Sequence, residues 1–175
     1  MILWVGIDPG LEGAVVTIDE NSTLISFART PVLRDRGKVK YDVQGMVRAI
    51  NETIVSSGGM RVAIEDVHAM PGQGVTSMFT FGYGAGLWRG IAAGLGLTVH
   101  MVSPRQWSRL LGWMPQGKNQ KLSAARRARD LWPSLPLDVK ANWGMADAAL
   151  IAETARRDFT GARQAPPAKE SPVAP

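Results

Sequence analysis

The chain has no cysteine and only two histidines, His68 and His100, among its 175 residues. Without thiols there is neither a disulfide framework nor a thiolate metal centre. With so few imidazoles, a metal site has to rest on oxygen ligands, which favours Mg²⁺ or Mn²⁺ over Zn²⁺. No apolar run approaches the roughly 20 residues that a membrane helix needs. No basic stretch precedes an apolar one at the start, as in a signal peptide. The expectation is a protein with no membrane contact, cytoplasmic in a bacterium or in a phage-infected cell. No repeat interrupts the chain, and its length suits one domain with a substantial core.

Hydrophobic content (45%) and charged content (20%) are ordinary, but the balance is basic, with a net charge of +5 and a pI of about 10.0. Lys118, Lys121, Arg126, Arg127 and Arg129 lie close together. Such a cluster on one helix is either a footprint for a phosphate backbone or a solvated face.

The first stretch, Ile2–Ile7, is apolar except for Gly6, and Asp8-Pro9-Gly10 follows it. A run this short, bounded by Pro and Gly, predicts a strand buried on both faces, in the middle of a sheet. Asp8 is then either a turn-former or a functional carboxylate held at the strand end. Ala14–Asp19 and Thr23–Arg29 predict two further strands joined by a hairpin at Glu20-Asn21-Ser22. The polar stretch Thr30–Lys40 reads as a mobile loop. Asp42 is placed to cap a helix whose apolar stripe is Val43, Met46, Val47, Ile50 and Ile54. Arg61–Val67 predicts a strand that carries Glu65 to its end, with Asp66 on the opposite face by alternation.

His68–Thr76 is a Gly-rich loop that lacks the Lys-Ser/Thr ending of a phosphate-binding loop. A helix from Ser77 to Gly94 is punctuated by Gly82, Gly84, Gly86, Gly90 and Gly94. Each glycine costs a helix about 1 kcal/mol relative to alanine, so these imply close packing, either within the chain or in a dimer. Leu97–Val102 is a strand, and Ser103-Pro104 opens a short helix. Lys118–Leu131 is the basic helix, ended by Trp132-Pro133. A last helix runs from Gly144, with Asp147 in its first turn. Trp88, Trp107, Trp113 and Trp132 read as core or interface. Residues 160–175, rich in Ala and Pro, predict a disordered tail.

Asp8, Glu65 and Asp147 therefore stand at two strand ends and one helix start. If they converge, their mutual repulsion is relieved by divalent cations, and two metals can activate a water and stabilise the leaving oxygen of a phosphodiester.

Three segments carry a resemblance to a known family: G-I-D-P-G-L-E-G-A at 6–14, A-I-E-D-V-H-A-M at 63–70 and A-D-A-A-L-I-A-E at 146–153. In that order the pattern resembles the Holliday-junction resolvases of the RuvC family, in the ribonuclease H-like superfamily. The stretch H-A-M-P-G-Q-G-V-T-S-M-F-T-F at 68–81 is most similar to the phage-type branch. The resemblance implies an α/β fold over residues 1–159, with a mixed five-stranded sheet in the order 3-2-1-4-5 and strand 2 antiparallel. It implies a homodimer that cuts four-way and other branched DNA junctions with Mg²⁺ or Mn²⁺, two ions per active site. Asp8, Glu65 and Asp147 match the family's metal-binding and catalytic carboxylates. A fourth acidic or His ligand is usual shortly before the last Asp, where this chain has Asn142 and Trp143. Asn142 is then either a neutral ligand or the sign of a module that binds branched DNA without cutting it. Lys118 and Lys121 resemble phosphate-contacting residues near the scissile bond, Lys118 being assigned a catalytic part as well. Arg105 and Arg126 are further DNA-contact candidates. Phe79 and Phe81 either stack on bases at the junction or are core aromatics. His68 either acts near the metals or is a hydrogen-bonded structural histidine.

Overall fold

The computed structural model describes residues 1–54, 58–66, 68, 72, 74–110 and 120–159. Six consecutive buried residues form β1 (Leu3–Asp8), as an apolar run between turn residues should. β2 (Ala14–Asp19) and β3 (Leu24–Arg29) continue it as an antiparallel meander. The Asp19 carboxylate closes the β2–β3 turn by accepting the Asn21 and Thr23 amides, both at 2.8 Å.

The stretch expected to be a mobile loop is instead a second hairpin, β4 (Val32–Asp35) and β5 (Lys38–Tyr41). Its turn residues, Arg36 and Gly37, both take left-handed φ, 46° and 77°. That two-residue turn matches the twist of the flanking strands. The hairpin is hidden in the sequence because four-residue strands give almost no alternation signal and an Arg is an uncommon choice in that turn.

Helix α1 (Val43–Ile54) follows, and its first turn is capped by Asp42, which accepts the Gly45 amide at 2.9 Å. Then come β6 (Met60–Glu65), α2 (Val75–Gly94), β7 (Thr98–Val102) and α3 (Pro104–Leu110). Ser103 and Gln106 form a capping box at the start of α3: the Gln106 side chain accepts the Ser103 amide at 2.7 Å and the Ser103 hydroxyl accepts the Gln106 amide. α4 (Gln120–Leu131), a 3-10 turn at Lys140–Asn142 and α5 (Trp143–Phe159) complete the described chain.

The sheet order is β3-β2-β1-β6-β7, with β2 antiparallel to its neighbours and β1, β6 and β7 parallel. This is the expected five-stranded arrangement, interrupted in the chain by the extra hairpin. Side chains alternate between two cores. Val5, Ile7 and Ile64 face α1 and α2, with Met46, Ile50 and Trp88. Trp4, Val16 and Ile18 face α4 and α5, with Trp107, Trp132 and Leu150. Each such fully buried aliphatic contributes about 1.5–3 kcal/mol.

Two glycines let α5 lie directly on the sheet. A Cβ on Gly6 would overlap the Ala148 carbonyl oxygen, and one on Gly144 would come within 2.5 Å of the Glu12 carbonyl oxygen. On α2 only Gly84 is similarly pinched, against Tyr41 and Pro9. Gly82, Gly86, Gly90 and Gly94 have open space where a Cβ would go. Intramolecular packing therefore explains one of the five α2 glycines. The expected tail and residues 69–71 and 73 of the Gly-rich loop lie outside the described residues.

Candidate active site

β1 and β6 run parallel with Ile7 beside Ile64, so Asp8 and Glu65 leave the same end of the sheet as neighbours. Gly144 presses the start of α5 onto the β1–β2 turn, and Asp147 follows one turn later. The three acids line one cavity of about 620 Å³, together with Gly10, Glu12, Asp66, His68, Phe81, Arg105, Trp107 and Lys121.

The acids disturb each other. Asp8 is 8% exposed, and its burial raises its pKa against the pull of the Gly10 amide and Lys121. That amide donates to Asp8 Oδ1 at 3.2 Å, so Asp8 is a turn-former and a cavity carboxylate at once. Burial, then the charge of Asp8, push Glu65 up to about 7, with Lys121 and the Trp107 indole opposing. Among the described residues Trp107 Nε1 makes no hydrogen bond of normal geometry, so its pull on Glu65 is that of a nearby dipole. Asp147 stands well above the ordinary carboxylate range, through burial and then the charges of Asp8 and Glu65. Burial without compensating partners is what raises a carboxylate in this way.

Such a donor set suits a hard divalent cation. Among the described residues no group of three or more acidic or histidine side chains is arranged to hold a metal ion by itself. Mg²⁺ does not require one, since it keeps several waters and takes one or two carboxylates plus substrate phosphate oxygens. Asp8, Glu65 and Asp147 are the residues that could hold it.

The remaining candidates separate. Lys121 lies at the cavity wall. Lys118 lies outside the described residues, as does Trp113. Arg126 is five positions after Lys121, or about 140° around the helix, is exposed, and is not among the cavity residues. Arg129 pairs with Asp138 at 3.0 Å. The basic residues of α4 thus diverge, and Lys121 alone of those described reaches the acids. Arg105 is on the rim. Phe81 lines the cavity, whereas Phe79 is 74% exposed and stacked parallel on Tyr83. Phe79 is therefore no core aromatic. Asn142 is not on the cavity; its side-chain amide donates to the Pro136 carbonyl at 2.9 Å. Trp88, Trp107 and Trp132 are buried core.

Asp66 is a correction. The strand stops at Glu65, so alternation no longer applies, and Asp66 joins the same cavity with its amide tied to Val102 O at 2.9 Å. His68 lies 3.7 Å from the Asp66 carboxylate. Glu12 and Tyr41 were not singled out in the sequence. Glu12 sits inside the first acidic motif. The Tyr41 hydroxyl donates toward the Pro9 and Thr80 carbonyls, at 3.0 and 3.1 Å, and burial with the nearby Asp8 charge pushes it up to about 12.

No protein-family model matches the chain. Over 86 residues it is 37% identical to the chloroplastic Holliday junction resolvase MOC1 of Chlamydomonas reinhardtii, a match covering 47% of this chain and 9% of that protein. The fold is similar to that of RuvC from Thermus thermophilus in complex with a Holliday junction substrate. There the TM-score is 0.63 at 17% identity, covering 92% of this chain and 97% of that one. A second T. thermophilus RuvC structure aligns with a TM-score of 0.56 at 21% identity, covering 91% and 96%. The chain has the mixed α/β fold of these RuvC structures, and the resemblance drawn from its three acidic motifs is borne out.

Proposed function

We propose that this RuvC-like chain is a divalent-metal-dependent endonuclease that hydrolyses phosphodiesters at four-way and other branched DNA junctions. The observation that carries the reading is the convergence of Asp8, Glu65 and Asp147, all raised, in one open cavity with Lys121 at its wall. Three enclosed acids beside one lysine are poorly satisfied by the protein itself. When bound, Mg²⁺ or Mn²⁺ supplies an activated water and charge stabilisation for the leaving oxygen. Asp8, Glu65 and Asp147 would hold the ions at the sheet end. Lys121 meets the negative charge of the phosphate that is cut. Arg105 takes a neighbouring phosphate, and Phe81 presents a ring face to an unpaired base.

Two opposed strands of a junction need two such sites, and a homodimer provides them. The surface we assign to it is the exposed side of α2, where Tyr83, Gly86, Leu87, Gly90 and Ile91 form a shallow, mostly apolar hollow. The phage-type branch and the cytoplasm of a bacterial or phage-infected cell complete the proposal.

A second reading is a module that binds branched DNA without cutting it. It is favoured by Asn142, which brings no charge and spends its amide on Pro136. Purified protein incubated with an end-labelled four-way junction and Mn²⁺ separates the two. The endonuclease gives paired, symmetric nicks on opposing strands, and prefers the junction to linear duplex or an RNA–DNA hybrid. The binding module shifts the junction in a gel and leaves it intact, and in that case Asn142→Asp shows whether one acid restores cutting.

A further inference from the structure

The geometry points to the β4–β5 hairpin as a second DNA-contacting arm, which grips the phosphate backbone of a duplex arm beside the cavity; this rests on the reading of the chain as a branched-DNA endonuclease. The hairpin carries Arg34, Arg36, Lys38 and Lys40, all exposed, against one acid, Asp35. The Arg36–Asp35 pair is 4.0 Å apart with side chains 94% and 72% exposed, so it neutralises little. Lysines often guard the edges of short strands against aggregation. A guard needs no particular place in the fold, however, and this hairpin has one.

It leaves β3 at the sheet end that carries Asp8 and Glu65. Its foot is fastened to that end on both strands. The Thr30 amide donates to Gly13 O at 2.9 Å, while the Asp42 amide closes the base of the hairpin on Pro31 O at 3.0 Å. Tyr41 reaches Pro9 O, the carbonyl next to Asp8. The foot of the arm thus stands at the sheet end of the acids, and its first strand follows β3, the edge of the sheet opposite to β7. Four-residue strands extend it by about 14 Å, roughly four base-pair steps of duplex. Exposed cations on a hairpin rooted at the sheet end of the acids fit a continuing phosphate backbone.

The test uses the full chain with Asp8→Asn, so that DNA is bound and not cut, and a fluorescent four-way junction titrated at several KCl concentrations. Arg34→Gln/Arg36→Gln/Lys38→Gln/Lys40→Gln in that background should bind at least tenfold more weakly. Its log–log salt slope should be shallower by about 0.9 for each phosphate no longer neutralised. A charge-keeping set, Arg34→Lys/Arg36→Lys/Lys38→Arg/Lys40→Arg, should restore affinity and slope, which a misfolded hairpin would not. Unchanged affinity and slope in the Gln set overturn the proposal. So does a charge-keeping set as weak as the Gln set. Failure of the underlying reading looks different: the Asp8→Asn parent then binds neither junction nor linear duplex at any salt, and both ideas fall together.

Discussion

Two of the acids on helix α5, Asp147 and Glu153, lie less than two turns apart, and the fold treats them in opposite ways. Glu153 is 1% exposed, yet it is fully partnered. It accepts from Arg156 at 2.8 and 2.9 Å, from Arg157 at 2.6 Å and from the Ser22 hydroxyl at 2.8 Å. Burial pushes its pKa up, but these hydrogen bonds outweigh it and hold Glu153 below the ordinary glutamate value. Asp147 is only partly buried, lies in the cavity with Asp8 and Glu65, and is driven the other way. Burial alone does not decide what a carboxylate is for. Glu153 is satisfied by its own chain and fastens α5 to the β2–β3 turn. Around Asp147 the dominant charges are two further acids, with Lys121 opposing them.

The comparison breaks most visibly in cleavage. Asp147→Asn keeps the shape and removes the charge, and should lower junction cleavage by about 10²–10³-fold or more, while raising the melting temperature of the metal-free protein. Glu153→Gln should leave single-turnover cleavage within a few-fold of wild type. If Glu153→Gln abolished cutting and Asp147→Asn spared it, the roles would be reversed.

Stability gives the mirror image. Glu153→Ala removes the charge shared by Arg156 and Arg157 and should cost about 3 kcal/mol in urea unfolding, near the lower end for a broken buried pair. Lys121→Met sharpens the other half. Lys121 lowers all three site acids, so its loss should slow cleavage about tenfold to a hundredfold and move the pH–rate profile upward.

The smallest effect is a pH dependence of opposite sign at the two places. Glu65 has a folded pKa raised from 4.5 to about 7. Between those values the folded state holds more protons than the unfolded chain, so stability falls as pH rises through that window. Glu65→Gln should flatten this loss in metal-free protein. Glu153 is lowered, so its stabilisation is present above the ordinary glutamate pKa and is lost as pH falls through the folded value. Glu153→Gln should flatten the acid limb instead. Melting curves across pH, without metal, read both.

The strand ends and helix start that carry Asp8, Glu65 and Asp147 are legible in the sequence because they rest on local signals, apolar runs that stop at an acid and a small-residue helix start; the sheet order and the grouping of the three acids follow from the resemblance of the three motifs. The rest depends on partners distant in the chain. Ser22 and Glu153 are 131 residues apart, and nothing local to Glu153 announces its burial. Alternation puts Asp66 on the wrong side because it presumes a strand that continues. The β4–β5 hairpin is lost among its own charges. The divergence of Lys121 from Arg126 is a matter of helix phase, which a count of basic residues does not see.

The most direct measurement is a calorimetric titration of Mn²⁺ into the protein at pH 7, in two buffers of different ionisation enthalpy. If enclosed, mutually raised carboxylates are the cation site, Mn²⁺ binds and the apparent enthalpy differs between the buffers by the protons released. That difference disappears in Asp147→Asn and persists in Glu153→Gln. Binding without proton release, or binding unchanged in Asp147→Asn, contradicts the account.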